Sequence, residues 1–313
     1  TEEVEWRLGF GPPTRAWVVR PEARADRPRP GVLLLHCHAG VKSIGAERLV
    51  STPSPSATAE RLRAQLYAGR ALADDLARRG AVVLAHDTFA WGSRRFDLDP
   101  LPVSLVEPAR RAELAWAADG ATPDADQRYD AVAAHHEHVV AKAAGMLGTS
   151  FAGMVAHDDL AALAVLRSLP DVDPERTGVA GFSGGGGRAA ALASLDDRLR
   201  AVSVLGMMTT TSALLPDHAD AHSWLLTTPG LLGRHGLPEL ASGRRTHDLQ
   251  VLSFAEDPLF PPDGVRDAHA ELRATWSQPG GGVLDEAVLP GGHVVGLGTQ
   301  ERLTDFLAAS LGL

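Results

Sequence analysis

Cysteine, asparagine and long apolar runs are scarce or missing in this chain of 313 residues, and each absence excludes a class of structure. Cys37 is the single cysteine, which excludes an intrachain disulfide and a cysteine-based zinc cage. Asparagine does not occur, so the chain holds no acceptor for N-linked glycosylation. Because no apolar run reaches the roughly 18 residues of a membrane-spanning helix, no membrane segment is predicted.

The chain also has fewer positively than negatively charged residues. Lysine and arginine together number 30, against 39 aspartates and glutamates, and the formal net charge is −9. A nucleic-acid-binding protein normally carries a basic stripe, so this balance argues against one. The first residues, Thr1-Glu2-Glu3, have neither the basic nor the apolar character of a secretory signal. We therefore expect a cytoplasmic protein that acts on a small molecule, and the sequence leaves a homo-oligomer open.

Short apolar runs alternate with helical patterns along the chain. This alternation predicts an α/β fold with a mostly parallel, doubly wound sheet in a single domain over 1–313. Two segments, 99–148 and 206–248, interrupt the alternation and are predicted to lie as a cap or lid over the ligand end of the sheet. The predicted strands are 17–19, 32–35, 81–85, 177–182, 201–205, 250–254 and 283–289, and the predicted helices are 58–79, 103–118, 123–147, 152–168 and 184–195.

The strongest chemical signal is the sequence Gly-Phe-Ser-Gly-Gly at 181–185, which follows a predicted strand and opens a helix. In a strand–turn–helix context this G-x-S-x-G pattern makes a sharp turn that exposes the hydroxyl of Ser183 above the sheet edge. The glycines fit because the turn leaves no room for side chains on either side of the serine. The pattern predicts Ser183 as a nucleophile. The overlapping glycines 184–187 also fit a dinucleotide-binding pattern, but the next strand ends without the acidic residue that a ribose requires.

A serine nucleophile needs a base, and the base needs an acid that orients it. In α/β-hydrolases these follow the serine in the order acid, then histidine. Asp257 follows the predicted strand 250–254, and His293 follows the predicted strand 283–289. Both lie where a parallel sheet places its ligand, just beyond the carboxyl ends of strands. We predict Asp257 as the orienting acid and His293 as the general base, with Glu256 as a less favoured substitute for the acid.

Two backbone N–H groups are expected to stabilise the oxyanion of such a reaction. One is that of Gly184, at the start of the helix after the serine. The other is expected from the loop after strand 32–35, where Cys37 or His38 is the candidate donor. The same loop contains the pair His36 and His38, which permits a different hypothesis, taken up below.

Several segments together resemble the dienelactone hydrolase and acetyl xylan esterase-like branch of the α/β-hydrolase superfamily. The resemblance implies a triad of Ser183, His293 and Asp257, ester or lactone substrates with short acyl groups, and no metal or organic cofactor. Two positions depart from the pattern: Ser183 stands where dienelactone hydrolases have cysteine, and Ala39 where a glycine is more common. The matching segments are 36–40, 45–49, 86–95, 158–160, 171–176, the serine turn, 257–260 and 292–293.

Four further residues are predicted to contact substrate. His222 and Trp224 belong to a segment that resembles a lid at the mouth of the active site, and Trp91 and Arg94 follow the end of a predicted strand. The same triad is also compatible with the cleavage of an amide, a thioester or a carbon–carbon bond, and the sequence does not separate these from ester hydrolysis.

Two hypotheses do not use the serine. In the first, His36 and His38 are the start of a metal site of the amidohydrolase-barrel type, and His135, His136 and His138 on one predicted helix add to the histidine count. That helix cluster is also expected simply as a solvated surface. In the second, the chain is a ligand-binding protein that uses the hydrolase fold without turnover, since a fold does not fix a function.

Overall fold

The computed structural model describes residues 1–23, 26–231 and 233–313. Its strands are β1 Glu2–Trp6, β2 Thr14–Val19, β3 Arg29–Leu35, β4 Val82–His86, β5 Val172–Phe182, β6 Ala201–Leu205, β7 Asp248–Phe254 and β8 Leu284–Leu289. Its α-helices are α1 Ala57–Leu66, α2 Leu72–Arg78, α3 Val103–Ala118, α4 Ala125–Met146, α5 Phe151–Ser168, α6 Gly184–Leu195, α7 Thr211–Leu214, α8 Leu237–Ser242, α9 Pro262–Trp276 and α10 Leu297–Leu311. Short 3-10 turns cover Ala46–Leu49, Gly92–Arg94, Ala219–Ala221 and Trp224–Leu226.

The strands form one sheet in the order β1-β2-β4-β3-β5-β6-β7-β8. The pairs β1–β2 and β2–β4 are antiparallel, and every pair from β4 to β8 is parallel. The parallel strands therefore end at one edge of the sheet, where the loops after β3, β5, β7 and β8 meet. The predicted α/β fold with a mostly parallel sheet is confirmed.

Helices cover both faces of this sheet, and the strand sequences show why. On β3, Leu33 and Leu35 belong to one buried cluster, which also holds side chains of α5, α6, α8 and α9. Val32 and Leu34 belong to a second cluster, with side chains of α2 and α10. Successive side chains of a strand point to opposite faces, so a continuous apolar run is what a sheet buried on both sides requires.

The structure differs from the sequence prediction at β1 and at the predicted helix 58–79. Strand β1 was not predicted, because its residues are mostly exposed at the sheet edge and its sequence, EEVEW, is rich in charge. The predicted helix 58–79 is two helices, α1 and α2. Ala68 and Gly69 between them have φ of 51° and 76°, in the left-handed region that breaks a helix. The leucine spacing of six between Leu66 and Leu72, where the helical spacing is three or four, is the signature of this break.

The interrupting segments consist of helices and turns. Segment 99–148 contains α3 and α4, which pack against each other, and 206–248 contains α7, α8 and two 3-10 turns. Helix α4 also contacts the turn Trp224–Leu226, so the two segments meet. Their role as a cap stays a prediction. Within the described residues no single helix is long and apolar enough to cross a membrane, and only the bent pair of α4 and α5 passes together by length and composition.

Candidate active site

Ser183 occupies the turn between β5 and α6 in a backbone conformation that residues other than glycine rarely adopt. Its φ is 55°. A Cβ on Gly181 would lie 2.2 Å from the carbonyl oxygen of Gly185, and a Cβ on Gly185 would lie 2.2 Å from that of Leu35. Only glycine fits at both positions, so the two glycines of the predicted pattern are required by the close approach of backbone. The turn is fixed further by the N–H of Ser183, which donates to the carbonyl of Leu205 at 2.8 Å.

His293 and Asp257 come together from the loops after β8 and β7. Nδ1 of His293 lies 2.5 Å from Oδ2 of Asp257, and Oδ1 of the same carboxylate accepts the N–H of Leu259 at 3.0 Å. The two loops are also joined through the N–H of Glu256, which donates to the carbonyl of Gly291 at 3.0 Å. The side chain of Asp257 is buried, whereas Glu256 is exposed. The histidine is therefore oriented by Asp257, as an acid–base pair requires.

Ser183 and His293 line the same cavity, which has a volume of about 240 Å³. Because Nδ1 of His293 is held by the carboxylate, Nε2 is the ring nitrogen that this contact leaves available. The imidazole is packed against Phe182, with 4.6 Å between ring centroids. The cavity is lined by His38, Ala39, Gly40, Ser183, Gly184, Met207, Ala221, His222, Ser223, Leu225, Leu226, Leu259, Phe260 and His293.

The loop after β3 meets the start of α6 at this cavity. The backbone nitrogen of His38 lies 3.2 Å from the point where a Cβ on Gly184 would be. His38 and Gly184 are thus adjacent candidates for the pair of oxyanion donors. Cys37 has other contacts: its carbonyl accepts from Arg48 Nη1 at 3.0 Å, and its buried thiol lies 3.6 Å from the same nitrogen. Of the two predicted donors in this loop, His38 is the one that lines the cavity.

The side chain of His38 is held on both of its ring nitrogens. Nδ1 accepts the N–H of Gly40 at 2.9 Å, so Nε2 carries the proton and donates to Oε2 of Glu137 at 3.3 Å. Burial lowers the pKa of His38, and the nearby Lys42 adds to this, against the effect of Glu137. A neutral imidazole with a fixed tautomer therefore anchors the loop whose backbone faces Ser183.

Glu137 on α4 is the residue of this region that the sequence did not reveal. It is 5% exposed. Its Oε1 accepts from the hydroxyl of Ser223 at 2.5 Å and from the N–H of Trp224 at 2.8 Å, while its Oε2 lies 2.5 Å from Nζ of Lys42. Burial alone would raise the pKa of Glu137, but the hydrogen bond from His38 and the charge of Lys42 outweigh it and hold that pKa well below its usual range.

Lys42 completes this buried charge pair. Its side chain is 4% exposed, and its Nζ lies 3.7 Å from the centroid of the Trp91 ring and 4.8 Å from that of Phe151. Aromatic faces attract a cation, more strongly where water is excluded. Burial lowers the pKa of Lys42, and the charge of Glu137 partly offsets that effect. The pair connects α4, the loop after β3 and the segment 222–226 around one carboxylate.

The four residues predicted to contact substrate separate into two groups. His222 lines the cavity, and its Nε2 donates to the carbonyl of Leu259 at 3.1 Å. Trp91, Arg94 and Trp224 are not among the residues that line this cavity, and their contact with substrate stays a prediction. Trp91 is buried against Lys42, and Trp224 donates its indole N–H to Nδ1 of His138 at 2.7 Å.

Arg94 has a structural role for a clear physical reason. It is 2% exposed, and its Nε donates to Oδ2 of Asp158 at 3.1 Å. Its Nη1 donates to the carbonyl of Phe10 at 2.8 Å. A buried guanidinium needs such partners, because removing its charge from water without them is costly. Arg94 therefore joins the N-terminal segment to α5.

The metal hypothesis conflicts with the fold. An amidohydrolase barrel is a closed sheet, whereas the sheet here is open and ends at β1 and β8. The ring of His36 is buried, and its Nδ1 donates to the carbonyl of Cys37 at 3.0 Å. Burial and the charges of Arg188 and Arg48 lower the pKa of His36 well below its usual value. Across 1–23, 26–231 and 233–313, no three His, Cys, Asp or Glu side chains are grouped to hold a metal ion.

The histidines of α4 also differ from a uniformly solvated surface. His135 is exposed, but the ring of His136 packs against Phe96 with 4.9 Å between centroids. His138 accepts the hydrogen bond from the indole of Trp224. This helix face therefore contacts the rest of the protein.

A second arrangement of serine, histidine and acid exists on the far side of β7. Ser253 Oγ lies 2.9 Å from Nε2 of His269, whose Nδ1 contacts Glu286. Ser253 is 3% exposed and is not among the lining residues of the adjacent cavity of about 450 Å³. The three side chains join α9 to β7 and β8. Ser253 offers a matched control for Ser183.

Comparisons with known proteins agree with this fold. The acetyl xylan esterase (AXE1) family matches residues 126–206, about a quarter of the chain. The protein YtaP of Bacillus subtilis strain 168, described as a putative hydrolase, is 25% identical over 266 residues, which cover 85% of this chain and 72% of YtaP.

Two solved structures extend the comparison. A putative dienelactone hydrolase from Klebsiella pneumoniae matches with a TM-score of 0.56 at 15% identity and covers 99% of this chain and 97% of its own. A putative acetyl xylan esterase from Bacteroides fragilis matches with a TM-score of 0.59 at 16% identity, covering 92% and 69%. The resemblance noted in the sequence is confirmed at the level of the fold.

Proposed function

We propose that this chain, which has the α/β-hydrolase fold, is a serine hydrolase that cleaves carboxylic esters through a triad of Ser183, His293 and Asp257. One observation carries the proposal. Nδ1 of His293 lies 2.5 Å from the buried carboxylate of Asp257, and the same imidazole lines a cavity with a serine held at φ 55°. The strained turn directs the serine into the cavity, and the carboxylate leaves Nε2 of His293 free to act as a base.

In the proposed mechanism Ser183 Oγ attacks the ester carbonyl carbon while Nε2 of His293 takes the hydroxyl proton. The carbonyl oxygen becomes an oxyanion, which the N–H groups of Gly184 and His38 stabilise. The C–O bond to the alcohol then breaks, and His293 gives its proton to the departing alkoxide. Water attacks the acyl-enzyme in the same way and releases the acid, with Asp257 stabilising the imidazolium in both halves.

The resemblance to acetyl xylan esterases and dienelactone hydrolases favours short acyl esters and lactones as substrates. A cavity of about 240 Å³ is consistent with a small acyl group at the reacting carbon, because ligand pockets generally measure about 300–1,000 Å³. Ser183 in place of a cysteine favours simple esters over dienelactones. No side chain in this mechanism requires a cofactor.

The test is hydrolysis of p-nitrophenyl acetate by the protein, by Ser183→Ala and by Ser253→Ala. We expect Ser183→Ala to lose ~10⁴-fold or more in kcat/KM, because removal of a triad nucleophile costs roughly that much or more. Ser253→Ala removes a serine that also contacts a histidine, and it should keep the activity. Undiminished turnover by Ser183→Ala, or no turnover of any ester by the intact protein, contradicts the proposal. A fluorophosphonate should also add to the intact protein and not to Ser183→Ala, as read by mass spectrometry.

A further inference from the structure

A second, larger cavity lies directly behind the candidate active site. It has a volume of about 750 Å³ and is lined by α5, α6, α8 and the chain between residues 225 and 231. Most of its lining surface is apolar, with Leu160, Ala191, Leu231, Leu237 and Leu240 among the contributors. Its volume falls within the ~300–1,000 Å³ that ligand-binding cavities usually have.

Two leucine side chains separate this cavity from that of Ser183. Leu225 and Leu226 line both cavities. Leu225 Cδ2 lies 3.0 Å from the point where a Cβ on Gly184 would be, and Leu226 Cδ2 lies 2.6 Å from the corresponding point on Gly187. Gly184 and Gly187 are in the first turn of α6 and are separated by roughly 4.5 Å along the helix axis. The apolar cavity therefore begins within one helical turn of the nucleophile.

The glycine at 187 gives this wall a specific place to pack. A Cβ at that position would meet the side chain of Leu226, so the absence of one lets the leucine lie on the helix backbone. The backbone of Leu226 is fixed by its N–H, which donates to the carbonyl of Ser223 at 3.2 Å. Joining the two cavities therefore requires the side chains of Leu225 and Leu226 to move.

We propose that the larger cavity is a subsite for an apolar acyl chain of the ester substrate, reached from Ser183 past Leu225 and Leu226. This inference rests on the proposed function and extends its substrate class: besides short acyl esters, the site would accept esters whose acyl chain is long enough to pass Leu225 and Leu226. The wall that this cavity shares with the catalytic cavity and its apolar lining both favour an acyl chain as the occupant. Each methylene that moves from water into such a cavity contributes roughly a fourfold preference.

The experiment compares kcat/KM for p-nitrophenyl acetate and p-nitrophenyl octanoate. Ala156→Phe and Ala191→Phe place a ring into the cavity from two different helices, at half-buried positions that line it. We expect each to lower the octanoate-to-acetate ratio of kcat/KM at least tenfold, and Leu226→Ala, which removes part of the wall, to raise it. Ala115→Phe, at an exposed position of α3, is the matched control and should leave the ratio unchanged.

A binding measurement separates the two proposals. The Ser183→Ala protein cannot turn over substrate, so its binding of p-nitrophenyl octanoate can be measured by calorimetry. We expect the double variant Ser183→Ala with Ala156→Phe to bind this ester at least tenfold more weakly. If the intact protein hydrolyses no ester, the proposed function is refuted, whether or not p-nitrophenyl octanoate binds. If acetate is hydrolysed but both filling variants leave the ratio within twofold of the control, the subsite is refuted and the enzyme remains.

Discussion

Replacement of Glu137 by glutamine tests whether this buried carboxylate joins the loop after β3, which carries His38, to the segment 222–226. In the intact protein this carboxylate pairs with Lys42 and accepts hydrogen bonds from Ser223, Trp224 and His38. The amide can still accept from Ser223 and the N–H of Trp224. It cannot neutralise Lys42, whose side chain is 4% exposed, and an unpaired buried charge destabilises a protein by about 3–5 kcal/mol.

The loss of stability in Glu137→Gln has an upper bound that depends on pH. Lys42 can escape the penalty by losing its proton, and burial already lowers its pKa. For a lysine of unperturbed pKa near 10.4, deprotonation at pH 7 costs about 5 kcal/mol, and at pH 9 about 2 kcal/mol. In Glu137→Gln the folded state would hold a neutral amine while the unfolded chain holds an ammonium. The unfolded state then binds more protons, so the stability of the variant rises with pH.

We therefore expect Glu137→Gln to lose about 3–5 kcal/mol in the free energy of unfolding near pH 7 and about 2 kcal/mol near pH 9. Urea unfolding followed by tryptophan fluorescence measures both values. Glu113→Gln is the matched control, because Glu113 forms an exposed ion pair with Arg128 at 2.9 Å. Such pairs contribute about 0–1 kcal/mol. The control should change little and show no comparable dependence on pH.

A double-mutant cycle separates the charge pair from the hydrogen bonds. Lys42→Met removes the ammonium, so Lys42→Met with Glu137→Gln should recover most of the stability lost in Glu137→Gln alone. If Glu137→Gln is destabilised by less than about 1 kcal/mol near pH 7, or if the two changes are additive, the buried pair described above is refuted. Where the variant stays folded, kcat for p-nitrophenyl acetate should fall more than KM changes, because the loop that carries His38 acts on the transition state.

Three further predictions concern the turn, the acid and the buried histidines. Gly185→Ala should fail to fold or lose at least ~3 kcal/mol in urea unfolding, because its Cβ would lie 2.2 Å from the carbonyl of Leu35; wild-type stability would contradict that contact. Asp257→Asn should lower kcat for p-nitrophenyl acetate by roughly 10⁴-fold with KM little changed, since the imidazole loses its orienting acceptor; a loss under tenfold would exclude the assigned acid. Burial lowers the pKa of His36 and His269, so below about pH 6.5 the unfolded chain binds more protons than the folded protein. The free energy of unfolding should therefore fall as the pH is lowered from about 7.5 to 5.5, by up to ~1.4 kcal/mol per pH unit for each histidine. A melting temperature that stays constant over that interval would refute this.

The sequence predicts the parallel strands and the residues at their ends well, for a physical reason. In a sheet covered on both faces, each strand is a short, continuous apolar run, and the loops after successive strands meet at one edge. The positions of Asp257 and His293 after β7 and β8 therefore follow from chain order once the sheet is recognised. The turn at Ser183 is recognisable from the local sequence as well, although only one of the contacts that require its glycines is local: a Cβ on Gly181 would meet Gly185, whereas a Cβ on Gly185 would meet Leu35 of β3.

The sequence predicts poorly where distant segments decide a side chain's surroundings. Trp91 and Arg94 do follow a strand end, but both are buried by contacts with α5 that no local pattern contains. Glu137 had a signal that was available: it lies four residues after Ala133 and seven before Ala144, and all three are buried on α4. A charged residue in register with a buried stripe indicates a partner in the interior, here Lys42, one of two lysines in the chain.

These two outcomes together indicate where selectivity is encoded. The triad comes from loops after core strands, whereas the wall of the cavity at Leu225 and Leu226, and the carboxylate of Glu137 that holds this wall, come from the segments 206–248 and 99–148. Changes within these segments can alter the lining of both cavities, because Leu225 and Leu226 line both and Glu137 binds Ser223 and Trp224 beside them. Substrate range should therefore respond to substitutions at Leu226 far more than to substitutions at strand positions of the core, whereas substitutions at Glu137 should lower stability and kcat.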